Sequence, residues 1–177
     1  YTPQSMRTFA FTTAILDELG MNIVDARIVP MKNDYSIDNY VFINAGEKQN
    51  IDKKTINKIR TKISSQLVRN DNHKITVSRR ESRRKQVFLS EPEIFFKQDK
   101  PNNRSILELI INDRPGILST IGLIFTELDI SIETAKIGTI GEKAEDVFFI
   151  TNKDRTALSD SLIKKLRLEL SKRLHTS

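Results

Sequence analysis

The chain has 177 residues, 38% of them hydrophobic, and a mean hydropathy of −0.39, which allows one globular domain or two small ones. No apolar run reaches the ~20 residues of a membrane-spanning helix, no secretory leader pattern is visible, the lack of cysteine excludes disulfides and thiolate metal sites, and with only His73 and His175, in different contexts, a histidine metal centre is not expected. The formal charge of +6 is concentrated in Arg69–Phe88, whose seven basic and two acidic residues carry five of the six net charges, so it is a local run and not the basic face of a nucleic-acid-binding domain.

In chain order, Phe9, Thr13, Leu16 and Leu19 mark one face of a helix. Ile23–Val29 and Ser36–Asn44 then read as a hairpin turning near Lys32-Asn33-Asp34. Ile51–Leu67 reads as a helix with Ile56, Ile59, Ile63 and Leu67 inward, and Lys74–Ser78 as a fourth strand. A charged linker follows. Glu93–Lys97 and Ser105–Ile111 form a hairpin around the turn residues Lys100-Pro101-Asn102-Asn103, its first strand standing in for a fourth strand of the unit that follows. Ile117, Leu118, Ile121, Ile124, Phe125 and Leu128 have helical spacing. Pro115 suits the first helical turn, and Asn112 or Asp113 is placed to cap it. Ile130–Ile137, a turn over Gly138–Glu142 and Asp146–Thr151 form a second hairpin, and a last helix from about Ser159 carries Leu162, Ile163, Leu166, Leu170 and Leu174.

These elements repeat. Leu19–Ile28 and Leu128–Ile137 match at an offset of 109 residues, and Tyr40-Val41-Phe42-Ile43 pairs with Val147-Phe148-Phe149-Ile150 at a slightly shorter one. The reading is α+β, two βαββα units in tandem: residues 1–78, a basic linker 79–92, and residues 93–177. The first unit lacks its opening strand, so residues upstream of Tyr1, or a partner chain, are expected to supply it.

Asn112-Asp113-Arg114-Pro115-Gly116-Ile117-Leu118 at the strand–helix junction, with Leu128–Lys136 and the run Ala144-Glu145-Asp146-Val147-Phe148-Phe149, resembles an ACT domain. The resemblance narrows to the C-terminal tandem ACT domains of the bifunctional uridylyltransferase/uridylyl-removing enzymes. It implies two ferredoxin-like (βαββαβ) domains and a non-catalytic regulatory role in a cytoplasmic enzyme that modifies the PII protein. It further implies glutamine as the sensed ligand, no cofactor in this segment, and magnesium for the catalytic parent. Nucleic acid and membrane are not implied as partners; a homodimer stays open.

The helix start presents backbone N–H groups to a ligand carboxylate, Asn112 and Asp113 offer acceptors to an ammonium group, and Gly116 permits close approach. Asn112, Asp113, Arg114, Pro115, Gly116, Ile117 and Leu118 are therefore the ligand-binding candidates. The resemblance adds Asn22, Ile23, Ser131 and Ile132, because ACT pairs place ligands between one domain's loop and its neighbour's second strand. The corresponding first-unit loop, Gln4-Ser5-Met6-Arg7, lacks the Asp, Pro and Gly. Two rivals are a ligand-free docking module of the same fold and RNA binding, which adjacent Phe148 and Phe149 oppose because they point to opposite sheet faces.

Overall fold

The computed structural model describes residues 2–3, 6–31, 35–44, 51–68 and 91–175. The first unit runs β1 (Thr2–Pro3), α1 (Met6–Glu18), β2 (Met21–Pro30), β3 (Tyr35–Asn44) and α2 (Lys53–Val68). The second runs β4 (Glu93–Asp99), a 3-10 turn (Lys100–Asn102), β5 (Arg104–Asn112), α3 (Ile117–Glu127), β6 (Ser131–Ile140), β7 (Lys143–Thr151) and α4 (Asp160–Leu174). The expected strand Lys74–Ser78, the turn at Lys32-Asn33-Asp34 and nearly all of the basic linker lie outside the described residues. Of the first unit's opening strand, the described part is the pair Thr2–Pro3, antiparallel to Ser36 and Tyr35 of β3.

The seven strands form one antiparallel sheet in the order β1-β3-β2-β6-β7-β5-β4. β4 occupies the place of the missing fourth strand beside β5, as its expected stand-in role requires. The two units join where β2 pairs with β6, Asp25 opposite Gly138 through Ile28 opposite Ala135. Because that pairing is antiparallel, the units are related by a near two-fold axis.

The repeat is visible in the irregularities as well. The β2–β3 register slips between Ile23 and Asp25, and the β6–β7 register slips between Ile132 and Thr134, again 109 residues on. The pairing of Ala26 with Tyr40, and of Ala135 with Phe148, makes Tyr40 the counterpart of Phe148. Sequence matching alone set it against Val147, one residue away.

The helices cover one face. α1 packs antiparallel on α3 so closely that a Cβ on Gly122 would stand 2.7 Å from the Ala10 Cα. Phe148 of β7 takes Phe9 of α1 and Phe125 of α3 edge-on, ring centroids 6.0 and 5.5 Å away, so both units share one core. In α2, Ile59 is buried and Ile63 packs on the core, but Ile56, expected inward, is 49% exposed. α4 buries Leu166, Leu170 and Leu174 as its spacing predicts; Ser159 caps it by accepting from the Leu162 N–H at 3.3 Å. Among the described residues no helix is long and apolar enough to cross a membrane.

Candidate functional site

The β5–α3 junction departs from its expected construction. The helix begins at Ile117, two residues after Pro115, and its cap is Gly116, in the left-handed region at φ 90°, with no side chain capping it. Neither Asn112 nor Asp113 serves as cap. Only a glycine adopts this φ without strain, and the bend it makes buries Gly116 while leaving Pro115 exposed. The Asp113 N–H donates to the Glu142 carbonyl at 2.8 Å, fastening the junction to the β6–β7 turn. Arg114 Nη2 donates to the Leu174 carbonyl at 2.7 Å, at the C-terminal end of α4 where a cation is favoured.

Beside this junction lies a small, partly open cleft with about 20 Å³ of free volume, room for a water-sized group. Both units line it: Asp17 and Ile23 from the first, and from the second Asp113, Arg114, Gly116, Ile117, Leu118, Ile137, Thr139, Ala144 and Asp146. Of the expected residues, Asp113, Arg114, Gly116, Ile117, Leu118 and Ile23 therefore meet at one place. Asn22 reaches it across the unit boundary, its Nδ2 donating to Asp113 Oδ2 at 3.5 Å. Asn112 ends β5 opposite Lys143, and Pro115 faces solvent; neither lines the cleft. Ser131 and Ile132 do not belong to it. They begin β6, pairing with Thr151 and Ile150, whereas the cleft sits at the other end of that strand, near Gly138 and Thr139.

Three carboxylates give the cleft its chemistry. Asp17, at the end of α1, accepts from Ser119 Oγ at 2.8 Å and from the Gly116 N–H, so a side chain of the first unit sits on the N-terminus of the second unit's helix. Burial nevertheless raises its carboxyl above the ordinary value, and Asp113 adds to the rise. Asp113 is raised by burial too, against the hydrogen bonds from Asn22 and the Arg114 N–H. Asp146, 1% exposed, is pushed up to about 7, first by burial and then by the charge of Asp113, with the Gly138 N–H opposing at 3.4 Å. Its second oxygen has no hydrogen-bond partner. Among the described residues no three His, Cys, Asp or Glu side chains converge closely enough to hold a metal ion.

Asp17 and Asp146 were absent from the sequence-derived candidates. Asp146 had left a signal: it alternates with Ala144, Phe148 and Ile150 on the face of β7 that turns inward, where a carboxylate is out of place. Asp17 left none, because its role depends on how α1 meets α3.

The ACT domain family matches residues 105–167. A bifunctional uridylyltransferase/uridylyl-removing enzyme of Stutzerimonas stutzeri is 35% identical over 179 aligned residues, covering 96% of this chain and 20% of that protein. Those of Pseudomonas fluorescens and Pseudomonas syringae pv. tomato are 38% identical over 161 and 36% identical over 176 aligned residues, covering 90% and 98% of this chain and 18% and 20% of those proteins. A crystal structure of aspartate kinase from Synechocystis aligns with a TM-score of 0.49 at 13% identity, over 93% of this chain and 23% of that one. The chain thus spans about a fifth of the length of the curated relatives it matches, in their non-catalytic C-terminal part. Residues 105–167 are an ACT domain, within a chain homologous over nearly its whole length to the C-terminal region of bifunctional uridylyltransferase/uridylyl-removing enzymes.

Proposed function

We propose that this chain is the amino-acid-sensing region of a cytoplasmic uridylyltransferase/uridylyl-removing enzyme acting on the PII protein, and that glutamine is its ligand. The observation that carries the reading is the cleft: one chain supplies both of its walls, Asp113, Arg114 and Gly116 to Leu118 from one unit and Asp17 and Ile23 from the other. A molecule held there contacts both units, so its binding favours whichever mutual arrangement it fits better, and that difference in affinity is what a distant catalytic domain can read. The chain needs no cofactor for this task, and the magnesium chemistry of the parent belongs to its catalytic domains.

Calorimetric titration of the chain with glutamine is the test. Saturable binding, lost when Gly116 is replaced by a bulky residue, supports the reading; no heat with glutamine overturns it.

One observation favours a second reading, a docking module. Val29, Ile37, Val41 and Ile43 lie exposed on the helix-free face of β2 and β3. On that reading Val41→Lys abolishes association with PII or the catalytic domains while the ligand response persists.

A further inference from the structure

We infer that the cleft receives its ligand ammonium-first, with the buried carboxylate of Asp146 as the principal acceptor and Asp113 beside it, while Asp17 and not the ligand fills the N-terminus of α3. The inference rests on the amino-acid reading above and reverses the orientation expected from the sequence, in which the ligand's carboxylate would meet the helix start.

Part of that helix start is already engaged by Asp17. The Gly116 N–H and Ser119 Oγ both donate to Asp17. A ligand carboxylate directed there would meet a carboxylate in place, and like charges in a half-buried site repel strongly. The deeper wall presents the opposite need. Asp146 is 1% exposed and lines the cleft; one of its oxygens has a single long contact, to the Gly138 N–H at 3.4 Å, and the other has none. Buried polar atoms in native proteins are almost always hydrogen-bonded, so an orphan oxygen on a residue that lines a cleft marks a place for a donor. A primary ammonium carries three donors and the compensating charge, enough to serve Asp146 and Asp113 together. Burial holds the Asp146 carboxyl up to about 7, and an arriving cation supplies the charge that favours its ionised form.

The experiment is calorimetry on the intact chain at neutral pH with glutamine, with 4-carbamoylbutanoate (glutamine without its amino group), and with ammonium chloride against sodium chloride. The same titrations follow for Asp146→Asn, with thermal unfolding to verify that it folds. The expected result is that the des-amino compound binds about tenfold or more weaker than glutamine, that Asp146→Asn weakens glutamine by a similar factor, and that the variant no longer tells the two apart. Equal binding of glutamine and its des-amino analogue by the unaltered chain overturns the inference, even if Asp146→Asn fails to fold; so does a variant that still discriminates. Binding of the ammonium ion without binding of glutamine supports Asp146 as an ammonium acceptor and removes the amino-acid reading. Binding of neither overturns both.

Discussion

Asp146 is held where an ionised carboxylate is disfavoured, and that gives the folded chain a defined pH dependence. Its folded value of about 7 stands above the unfolded value of 3.8, so the folded state binds the proton that the unfolded state has released. Stability therefore falls as pH rises from about 4 to about 7 and levels off above. The groups facing it act in the same direction or are engaged elsewhere: Asp113 adds negative charge, Asp17 is itself raised by burial, and Arg114 is bonded to the Leu174 carbonyl. Asp146→Asn is expected to flatten this profile and to be more stable than the parent at about pH 8, by up to about 4 kcal/mol. Urea denaturation across the pH range measures it, and a variant less stable than the parent at that pH contradicts the account. Ser119 gives a complementary test. Its hydroxyl is fully buried and serves Asp17 from the other unit, so Ser119→Ala leaves a half-buried carboxylate with one donor fewer. A loss of about 1–3 kcal/mol in the same assay is expected.

At the scale of elements, the joint between the units is a close helix-on-helix contact. Gly122 on α3 lies against the backbone of Ala10 on α1, and a methyl group there would stand 2.7 Å from the Ala10 Cα, a distance that only movement of a helix can relieve. Gly122→Ala is expected to lower stability by about 1–3 kcal/mol and to loosen α1 from α3, which hydrogen exchange in both helices would report. The helices and strands themselves were readable from period and punctuation: all four helices, both hairpins and the stand-in strand β4 appear within a few residues of their expected bounds. What period could not carry was anything decided by tertiary contact. Gly138, expected in a turn, lies inside β6 because the hairpin closes tightly at Gly141-Glu142. Ile56 keeps its helical spacing yet faces solvent. The cap of α3 is the left-handed Gly116 and not a side chain, since the bend that aims this loop at the first unit needs a residue without Cβ. The site was legible to the same extent. Of the expected residues, Asp113, Arg114, Gly116, Ile117, Leu118 and Ile23 line the cleft, whereas Ser131 and Ile132 lie away from it because the antiparallel joining of β2 to β6 sends the start of β6 to the far end of the sheet.

The whole molecule has two-fold geometry without two-fold chemistry. The bulges and strands repeat, but 109 residues separate Gly116 from Arg7 and Asp17 from Thr126, so the counterparts of the cleft's bend and of its helix-filling carboxylate are an arginine and a threonine. One ligand per chain is therefore expected, and a calorimetric stoichiometry of two would contradict this. The shared core, with Phe9 of one unit against Phe148 of the other, also implies a single cooperative unfolding transition in place of two. The central claim is that one small molecule held between the units bridges them. An NMR titration of the chain's backbone amides with glutamine tests this most directly. The account predicts saturable shifts at Asp113, Gly116, Thr139 and Asp146 of the second unit, and at Asp17 and Ile23 of the first, all following one binding curve. Shifts confined to one unit, or centred on Ser131 and Ile132 with the cleft unmoved, would contradict it.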